Sequence, residues 1–319
     1  MVKLANAFSF TLEPKSPYDF ELTVRKPAGW SLFTTTEIYS KHTLWTALYI
    51  RDLLVGLRLK YRGGGRSPKI LVTAYLKQRP TSNDKTVLKQ TVATKLGVGD
   101  DLSEFYAVAR NDRILRYTVQ DLCGMHDTQN GALFDAAILA ICLQMAPLKR
   151  SNQMMNCIIR KYGELVEFDG KVVPAWPLAK TIAKLETEKF AMNCHLGFRA
   201  KYLVQLAKAL ESDAFPSLEE LSRLPPEVAK AKLVELPGIG DYSADIISPH
   251  GGFPIDAWSA EVFGKLLFRT RSRNYGKMVE RVKEEGIKRW GKWSWMAFFY
   301  VVNDLENLSR HLKTRLRLT

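Results

Sequence analysis

Two short segments in the C-terminal third of the chain combine residue types that could do chemistry together. The first is Leu236-Pro237-Gly238-Ile239-Gly240, and the second is a Gly/Pro-rich stretch that ends at Asp256. Glycines leave the backbone N–H groups of a turn bare, and a helix that begins near Asp241 adds partial positive charge at its N-terminus. The pattern therefore predicts a site for an anion such as a nucleic-acid phosphate. It is followed by a carboxylate that a loop can aim at a reacting atom.

A helical hairpin over residues 225–248 is needed to hold this turn, and the loop 249–258 follows it. Pro225 and Pro226 suit the first turn of a helix, and Pro237 with the two glycines ends it. Apolar residues recur in this helix at helical spacing and predict its buried face: Val228, Ala231 and Val234.

The bulk composition favours a polyanionic partner. The 319 residues carry a formal net charge of +14, with a pI near 9.5, and 46% of them are hydrophobic. Charge alone would fit an RNA-binding, ribosomal or membrane-surface protein equally well. No apolar run is long enough to span a bilayer, and Met1–Ala7 lacks a signal-peptide core. We therefore expect an intracellular protein, in the cytoplasm or nucleoid of a prokaryote or in the nucleus of a eukaryote.

The cysteines lie far apart in the sequence and contain no C-x-x-C pair: Cys123, Cys142, Cys157 and Cys194. Zinc and iron–sulfur sites need clustered thiolates. The spacing predicts reduced thiols, buried for the most part, and no iron–sulfur cluster.

The first third of the chain is rich in β-strand patterns. Alternating or β-branched runs predict strands at Phe8–Leu12, Phe20–Val24, Ser31–Ile38, Thr43–Ile50, Leu54–Tyr61 and Lys69–Leu76. One face of the helix expected next is apolar: Val87, Leu88, Val92 and Leu96. An antiparallel sheet with a covering helix is the simplest packing of these elements.

From about Leu102 onward the patterns become helical. Leu133–Ile141 is apolar enough to be a central helix, and Ser217 to Glu220 matches a capping box. The prediction is an α+β protein, with a β-rich domain over residues 1–104 and a helical core over residues 105–319.

The hairpin motif followed by Pro254-Ile255-Asp256 resembles the helix-hairpin-helix DNA glycosylases, and the preceding sheet resembles the AlkA type, the 3-methyladenine DNA glycosylases II. Further similar segments are Ser16-Pro17-Tyr18-Asp19-Phe20, Gly197-Phe198-Arg199-Ala200-Lys201-Tyr202 and Trp290-Gly291-Lys292-Trp293. The resemblance covers most of the chain and is strong over residues 130–305. It implies a monomeric base-excision enzyme that acts on double-stranded DNA containing a damaged base, and does not act at a membrane.

The resemblance also implies roles for individual residues. Asp256 would stabilise the oxocarbenium ion that develops on the sugar, or activate a water. Tyr242 and Trp258 would lie at the base pocket. Tyr242 occupies the position of the lysine that forms a Schiff base in strand-cleaving relatives, so no lyase activity is expected. Both aromatic residues could instead pack in the core.

Other roles concern the grip on DNA. Met145 would enter the base stack as a wedge beside Gln144, although a core methionine and a capping or surface amide are the alternatives. Contacts to phosphates are expected from Gly238, Gly240, Ser243, Lys149 and Arg150; further candidate cations are Arg269, Arg271 and Arg273. Each of these cations could equally be a solvated charge. In the family, hairpin carbonyls hold a sodium or potassium ion, here those of Val234, Leu236 and Ile239; no other cofactor is implied.

The substrate implied is an alkylated purine of the 3-methyladenine type, with hypoxanthine second. Two departures leave the lesion open, since the pocket tryptophan of the AlkA type aligns with Val302 and the glutamine of oxoguanine glycosylases with Ala297. The alternatives are a glycosylase for 8-oxoguanine or for uracil or thymine mispairs, and, in another class, a non-catalytic DNA-binding repair protein. Asp256 argues against the last, because a binding module needs no carboxylate after its hairpin.

Overall fold

The computed structural model describes residues 1–27, 37–50, 53–63, 67–128, 132–211, 215–270 and 274–316. An antiparallel sheet near the N-terminus is followed by a largely helical region, and this confirms the α+β fold class. The strands are β1 (Val2–Lys3), β2 (Asn6–Leu12), β3 (Ile38–Ser40), β4 (Thr43–Ile50), β5 (Leu53–Arg62), β6 (Lys69–Leu76), β7 (Leu165–Phe168) and β8 (Lys171–Pro174).

The helices follow in chain order. They are α1 (Phe20–Val24), α2 (Ser82–Lys95), α3 (Ser103–Asn111), α4 (Leu115–Asp121), α5 (Leu133–Leu143), α6 (Leu148–Tyr162), α7 (Ala179–Ile182), α8 (Thr187–Cys194), α9 (Arg199–Leu210), α10 (Leu218–Ser222), α11 (Pro226–Val234), α12 (Asp241–Ile247), α13 (Ala257–Phe268), α14 (Tyr275–Trp290), α15 (Ser294–Asn303) and α16 (Leu305–His311). None of these helices in the described part of the chain is long and apolar enough to cross a membrane.

The N-terminal sheet has the strand order β2-β6-β5-β4-β3, and all its neighbouring strands are antiparallel. Helix α2 covers one face of it, because Leu88, Val92 and Leu96 pack with the buried residues of the strands. A capping box between Thr81 and Asp84 starts this helix. The predicted sheet with a covering helix is therefore confirmed.

The predicted strand over residues 20–24 is wrong, because this segment forms helix α1. The side chain of Asp19 accepts the backbone N–H of Leu22 at 2.8 Å and so caps a helical turn. Phe20, Thr23 and Val24 are the buried residues, which is a helical spacing rather than an alternating one. Of the strand predicted at Ser31–Ile38, residues 31–36 lie outside the described part of the chain, and β3 begins at Ile38.

The strands β7 and β8 lie far along the sequence but join the N-terminal region. β7 pairs in parallel with β1 and antiparallel with β8. Val166, Phe168 and Val173 bury a small core with Leu4 and with Ala47 of the main sheet. Residues 165–174 therefore pack on the sheet side of the molecule, and the division at residues 104 and 105 stays a prediction.

The helices form two lobes, each with its own apolar core. In the first lobe α5, α6, α8, α9, α11 and α12 pack together. In the second lobe the apolar core is built by α3, α4 and α13 to α16. The hairpin α11–α12 belongs to the first lobe and Asp256, at the start of α13, to the second, so the two predicted chemical elements come from different lobes.

The expectation that all four cysteines are reduced is wrong for one pair. Cys157 of α6 and Cys194 of α8 form a disulfide, with Cα atoms 5.4 Å apart. Their separation of 37 residues hid the pairing in the sequence, and the packing of α6 against α8 creates it. Cys123 and Cys142 are free, the first exposed and the second buried.

Candidate nucleic-acid and reaction site

The turn of the hairpin presents its backbone to solvent, as predicted. Gly238 has a φ of +78°, and a Cβ there would lie 2.6 Å from the Cβ of Tyr202, so both conformation and space require glycine. Gly240 is exposed, and the space beyond its Cα is open. It precedes α12, whose first N–H groups have no helical partner. The turn can therefore offer backbone donors to an anion.

The predicted buried face of α11 is wrong. Ala229 and Leu233 are the buried residues, whereas Val228 and Val234 are 44% and 45% exposed. The four-residue step from Ala229 to Leu233 satisfies the same helical period, so periodicity alone did not separate the two faces.

Gln144 connects the hairpin to the end of helix α5. Its Nε2 donates to the carbonyl of Gly238 at 2.7 Å and to Oγ of Ser243 at 2.9 Å. The backbone carbonyl of Gln144 accepts a hydrogen bond from the guanidinium group of Arg199. Ser243 is buried, and its hydroxyl accepts the hydrogen bond from Gln144. The amide of Gln144 holds the turn rather than facing solvent.

Met145, the predicted wedge, projects from the surface. Its side chain is 93% exposed, and its φ of +45° is rare for a residue with a side chain. This exposure excludes the alternative of a core methionine. A strained conformation that presents an apolar side chain to solvent is typical of a functional position. The wedge role itself stays a prediction.

Lys149 and Arg150 lie in the first turn of α6, directly after Met145, and both are exposed. Arg150 donates one hydrogen bond to the carbonyl of His195 at 2.9 Å and keeps its other donors. Both cations are therefore accessible to an anion, and their contact with phosphates stays a prediction.

Four charged side chains tie the hairpin to the second lobe. Lys230 lies 2.6 Å from both Asp241 and Asp245, and Lys283 of α14 also pairs with both carboxylates. Burial alone would lower the pKa of Lys230, but its hydrogen bonds to the two aspartates raise it. Asp245 is 6% exposed and a Cβ on Gly252 would lie 2.4 Å from its Oδ1. The loop before Asp256 therefore packs directly against this network, which the sequence patterns missed.

Asp256 is half-buried and is the N-cap of α13. Its Oδ1 accepts the backbone N–H of Ser259 at 2.8 Å and the Ser259 hydroxyl at 2.7 Å. Its Oδ2 has no hydrogen bond to any described residue. One oxygen thus fixes the orientation of the carboxylate, and the other is left for a reacting group. The carboxylate also stabilises a helix, a duty that the loop pattern did not predict.

Tyr242 lies close to this carboxylate, in the first turn of α12. Burial and then the negative charge of Asp256 raise the pKa of Tyr242, so its phenol stays neutral at physiological pH. The side chain is half-buried against the first core. Trp258, in the first turn of α13, is half-buried against the second core. Both aromatic residues flank Asp256 along the chain or in space, and their roles at a base pocket stay predictions.

A buried charged cluster on the other side of the loop was also missed. Trp295 packs against Gly251 and donates from Nε1 to Oδ2 of Asp127 at 2.8 Å. Oδ1 of Asp127 is buried and has no hydrogen-bond partner among the described residues. Burial raises the pKa of Asp127 and lowers that of Lys26 to about 8. Lys26 donates to Thr128 at 2.9 Å, so the cluster joins the N-terminal domain to the second lobe.

The carbonyls proposed to hold an alkali ion lie where a helix leaves them free. Val234 is the last residue of α11, where carbonyls lack helical partners. The Leu236 carbonyl accepts the N–H of Ile239 at 3.1 Å and keeps a second lone pair. Neutral carbonyl oxygens suit a hard cation. The residues therefore fit the ion, whose presence stays a prediction.

The late aromatic segment is mostly core. Trp290, Phe298 and Tyr300 are buried, and so are Ala297 and Val302. Two further candidates for DNA contact, Arg271 and Arg273, lie outside the described residues.

The chain resembles known proteins in sequence and in structure. No family model matches the chain. The chain is 23% identical to the DNA-3-methyladenine glycosylase of Bacillus subtilis (strain 168) over 207 residues, which are 63% of this chain and 67% of the relative. Its structure resembles the 3-methyladenine DNA glycosylase from Archaeoglobus fulgidus with a TM-score of 0.74 and 19% identity, over 96% of this chain and 100% of the other.

An 8-oxoguanine glycosylase/lyase of Clostridium acetobutylicum, in complex with double-stranded DNA containing cytosine opposite 8-oxoG, is also similar. The TM-score is 0.70 at 17% identity, over 95% of this chain and 99% of the other. The chain thus has the fold of the helix-hairpin-helix DNA glycosylases, and the resemblance inferred from its sequence is confirmed.

The charge network makes a prediction about stability. Asp245→Asn should lower the free energy of unfolding by about 3 kcal/mol, because it leaves two lysines facing a neutral, buried amide. Asp241→Asn makes the same change at a side chain that is 61% exposed. It should cost less than about 1 kcal/mol. Urea denaturation of both variants measures the difference; equal losses would show that Asp245 is not the centre of the network.

Proposed function

We propose that this protein is a monofunctional base-excision DNA glycosylase that releases alkylated purines of the 3-methyladenine type, with hypoxanthine as a second substrate. The observation that carries the proposal is the Asp256 carboxylate. It is fixed through one oxygen, free at the other, and set beside Tyr242 of the hairpin. The helix cap occupies only Oδ1, so Oδ2 can serve a reaction, which a protein that only binds DNA would not need.

The hairpin and the wedge would prepare the substrate. Backbone donors near Gly238 and Gly240 would hold phosphates, and an ion on the hairpin carbonyls would add positive charge there. Met145 would fill the space left when the damaged nucleotide leaves the stack. Gln144 donates to Gly238 and Ser243 of the hairpin and directly precedes Met145, so the grip and the wedge would keep a fixed distance.

The chemistry would then fall to Asp256. Departure of the base leaves positive charge on the sugar, and a negative oxygen in a half-buried site stabilises that charge more than water would. The same oxygen can accept a proton from the attacking water. The two hydrogen bonds from Ser259 keep the other oxygen in place, so little reorganisation is needed as the charge develops.

The choice of an alkylated purine is supported by three observations. The Bacillus subtilis 3-methyladenine glycosylase is similar to this chain in sequence, and the Archaeoglobus fulgidus enzyme is similar to it in fold. Tyr242 offers an aromatic ring without an amine, and a ring attracts the positive charge of an alkylated purine. Ala297, at the position of the oxoguanine-reading glutamine, is buried and has no polar group.

Oxidised guanine is the second candidate, because the 8-oxoguanine enzyme of Clostridium acetobutylicum has a similar fold over 95% of this chain. A panel of duplexes that each contain 3-methyladenine, hypoxanthine, 8-oxoguanine, or a uracil or thymine mispair would rank the substrates under single-turnover conditions. We expect the alkylated purine to be released fastest. Faster release of 8-oxoguanine would replace the proposed substrate, and no release from any duplex would remove the enzymatic function.

Asp256→Asn should slow base release by at least about 100-fold, because the amide carries no charge to stabilise the sugar cation. Its free energy of unfolding should stay within about 0.5 kcal/mol of the original, since Asn caps a helix as well as Asp does. Single-turnover release beside urea denaturation separates the two effects. Asp256→Ala, which also loses the cap, should be less stable by about 1 kcal/mol. Near-full activity of the Asn variant would remove Asp256 from the chemistry.

Tyr242→Lys should create strand cleavage that the original protein lacks. The new amine would lie beside Asp256 and could attack the sugar to form a Schiff base, which borohydride reduces to a stable adduct. Tyr242→Phe is the matched control. It keeps the ring, should form no adduct, and should release the base nearly as fast, because the neutral phenol transfers no proton. A trapped adduct with the unmodified protein would show that another amine is the nucleophile.

Met145→Gly and Met145→Ala should both weaken excision from fully paired duplex more than from a mismatched one, where the base is already poorly stacked. Neither should change the free energy of unfolding by more than about 0.5 kcal/mol, because the side chain is exposed. Gly should be the more stable of the two, since it accepts the positive φ without strain. An equal loss of activity on every substrate would contradict the wedge role.

A further inference from the structure

A second basic surface lies in the second helical lobe, away from Asp256. A cleft of about 610 Å³ forms between the start of α4, the end of α13 and the C-terminal segment. Five basic side chains line it: Arg113, Arg116, Lys265, Arg269 and Arg315. No acidic residue is among the described residues that line it. Ile114 and Leu266 provide an apolar floor, so the cations are concentrated around one concave surface.

The position of the cleft separates it from the reaction site. Asp256 caps the N-terminus of α13, and Arg269 follows the C-terminus of the same helix. Twelve helical residues span about 18 Å at 1.5 Å per residue. That distance corresponds to roughly five base-pair steps of a duplex at 3.4 Å each. A phosphate bound next to Asp256 therefore cannot also lie against Arg269 at the other end of the helix.

Three of the five cations also have structural contacts. Arg113 donates to the carbonyls of Leu266 and Leu267 at 2.8 and 2.6 Å. These two hydrogen bonds place the positive guanidinium of Arg113 at the C-terminus of α13, where it offsets the partial negative charge that would otherwise repel an anion. Lys265 pairs with Glu261 at 2.6 Å, and Arg116 lies over the ring of Tyr117. Among the described residues, the contacts of these three cations include one carboxylate, that of Glu261.

Arg269 and Arg315 have no such side-chain contacts with the described residues. Both are exposed, and neither side chain has a hydrogen bond or an ion pair with the described residues. Guanidinium groups bind phosphate oxygens through paired N–H donors, and the hydroxyls of Thr270 and Thr314 at the rim are further donors. Unpaired guanidinium groups around a concave surface favour an occupant that carries phosphate.

We propose that this cleft is a second phosphate-binding site, which holds the backbone of a DNA segment beyond the one gripped at the hairpin. The proposal rests on the proposed function, because it assumes that DNA is the partner. It extends that function by a contact about 18 Å from the reacting carboxylate, which would lengthen the stretch of DNA that the protein engages. A small phosphorylated compound offers the same oxygens, and the test below distinguishes the two sources.

The test compares Arg269→Ala/Arg315→Ala with the charge-matched control Lys89→Ala/Lys208→Ala, whose lysines are exposed on α2 and α9. Binding is measured by fluorescence anisotropy on duplexes with one abasic-site analogue. The shortest has about eight base pairs, and longer ones extend it by about twelve on either side of the lesion. The original protein and the control should bind one of the extended duplexes more tightly than the short one.

In the arginine double variant the gain in affinity from the short to the extended duplex should be smaller by a factor of at least about five. The salt dependence of its binding should correspond to about two fewer released counterions, one for each lost phosphate contact. On the short duplex all three proteins should bind equally. Retention of the full gain and of the salt dependence by the arginine variant would overturn the proposal. Calorimetry with inorganic pyrophosphate tests the other source. The proposal would also be overturned if the original protein bound pyrophosphate, the arginine variant did not, and the arginine variant still bound the longer duplex more tightly than the short one. The cleft would then take a small phosphate compound.

Base release from the short duplex keeps this test separate from the proposed function. All three proteins should release the base at the same rate there, because neither pair of residues touches the reaction site. If no protein releases any base but the gain on longer duplexes still depends on the two arginines, the glycosylase proposal fails and the second phosphate site stands.

Discussion

The buried carboxylate of Asp245 is the constraint on which the arrangement of the site depends. A charge removed from water is destabilising unless it is paired, and here lysines from α11 and α14 pair with it. The same carboxylate touches the backbone at Gly252 in the loop that leads to Asp256. The paired carboxylate of Asp245 therefore fixes the hairpin, the loop and the second lobe relative to one another. It also brings positive charge to Asp241, which would otherwise repel an anion at the start of α12.

Met145, the proposed wedge, is positioned from the hairpin side. Arg199 and Gln144 form a chain of hydrogen bonds that ends on the carbonyl of Gly238. Met145 follows Gln144 in a left-handed conformation, so its exposed side chain is held by backbone geometry rather than by packing. An apolar side chain that buries nothing in the free protein contributes little to folding.

The opposite side of the loop is fixed by a different kind of contact. Asp127, Trp295 and Lys26 form a buried charged cluster between the N-terminal domain and α15. Lys26 lies 5.3 Å from the ring of Phe299, which adds a cation–π attraction. The loop is thus packed between two charged networks, and a loop held on both sides can aim a carboxylate with little cost in reorganisation. Lys26, which follows helix α1, thus contributes to this support from the N-terminal region.

What the sequence by itself determined were features that depend on neighbours along the chain. The turn at Gly238, the start of α12 at Asp241 and the capping box at Ser217 follow from local propensity, caps and periodicity, and so do four strands of the main sheet, β2, β4, β5 and β6. Tertiary structure alone decided the pairing of Asp245 with Lys283, 38 residues away, and the disulfide between Cys157 and Cys194. It also decided which face of α11 is buried. These features depend on which surfaces meet when helices pack, and a residue's period along its own helix carries no information about the partner that it will face.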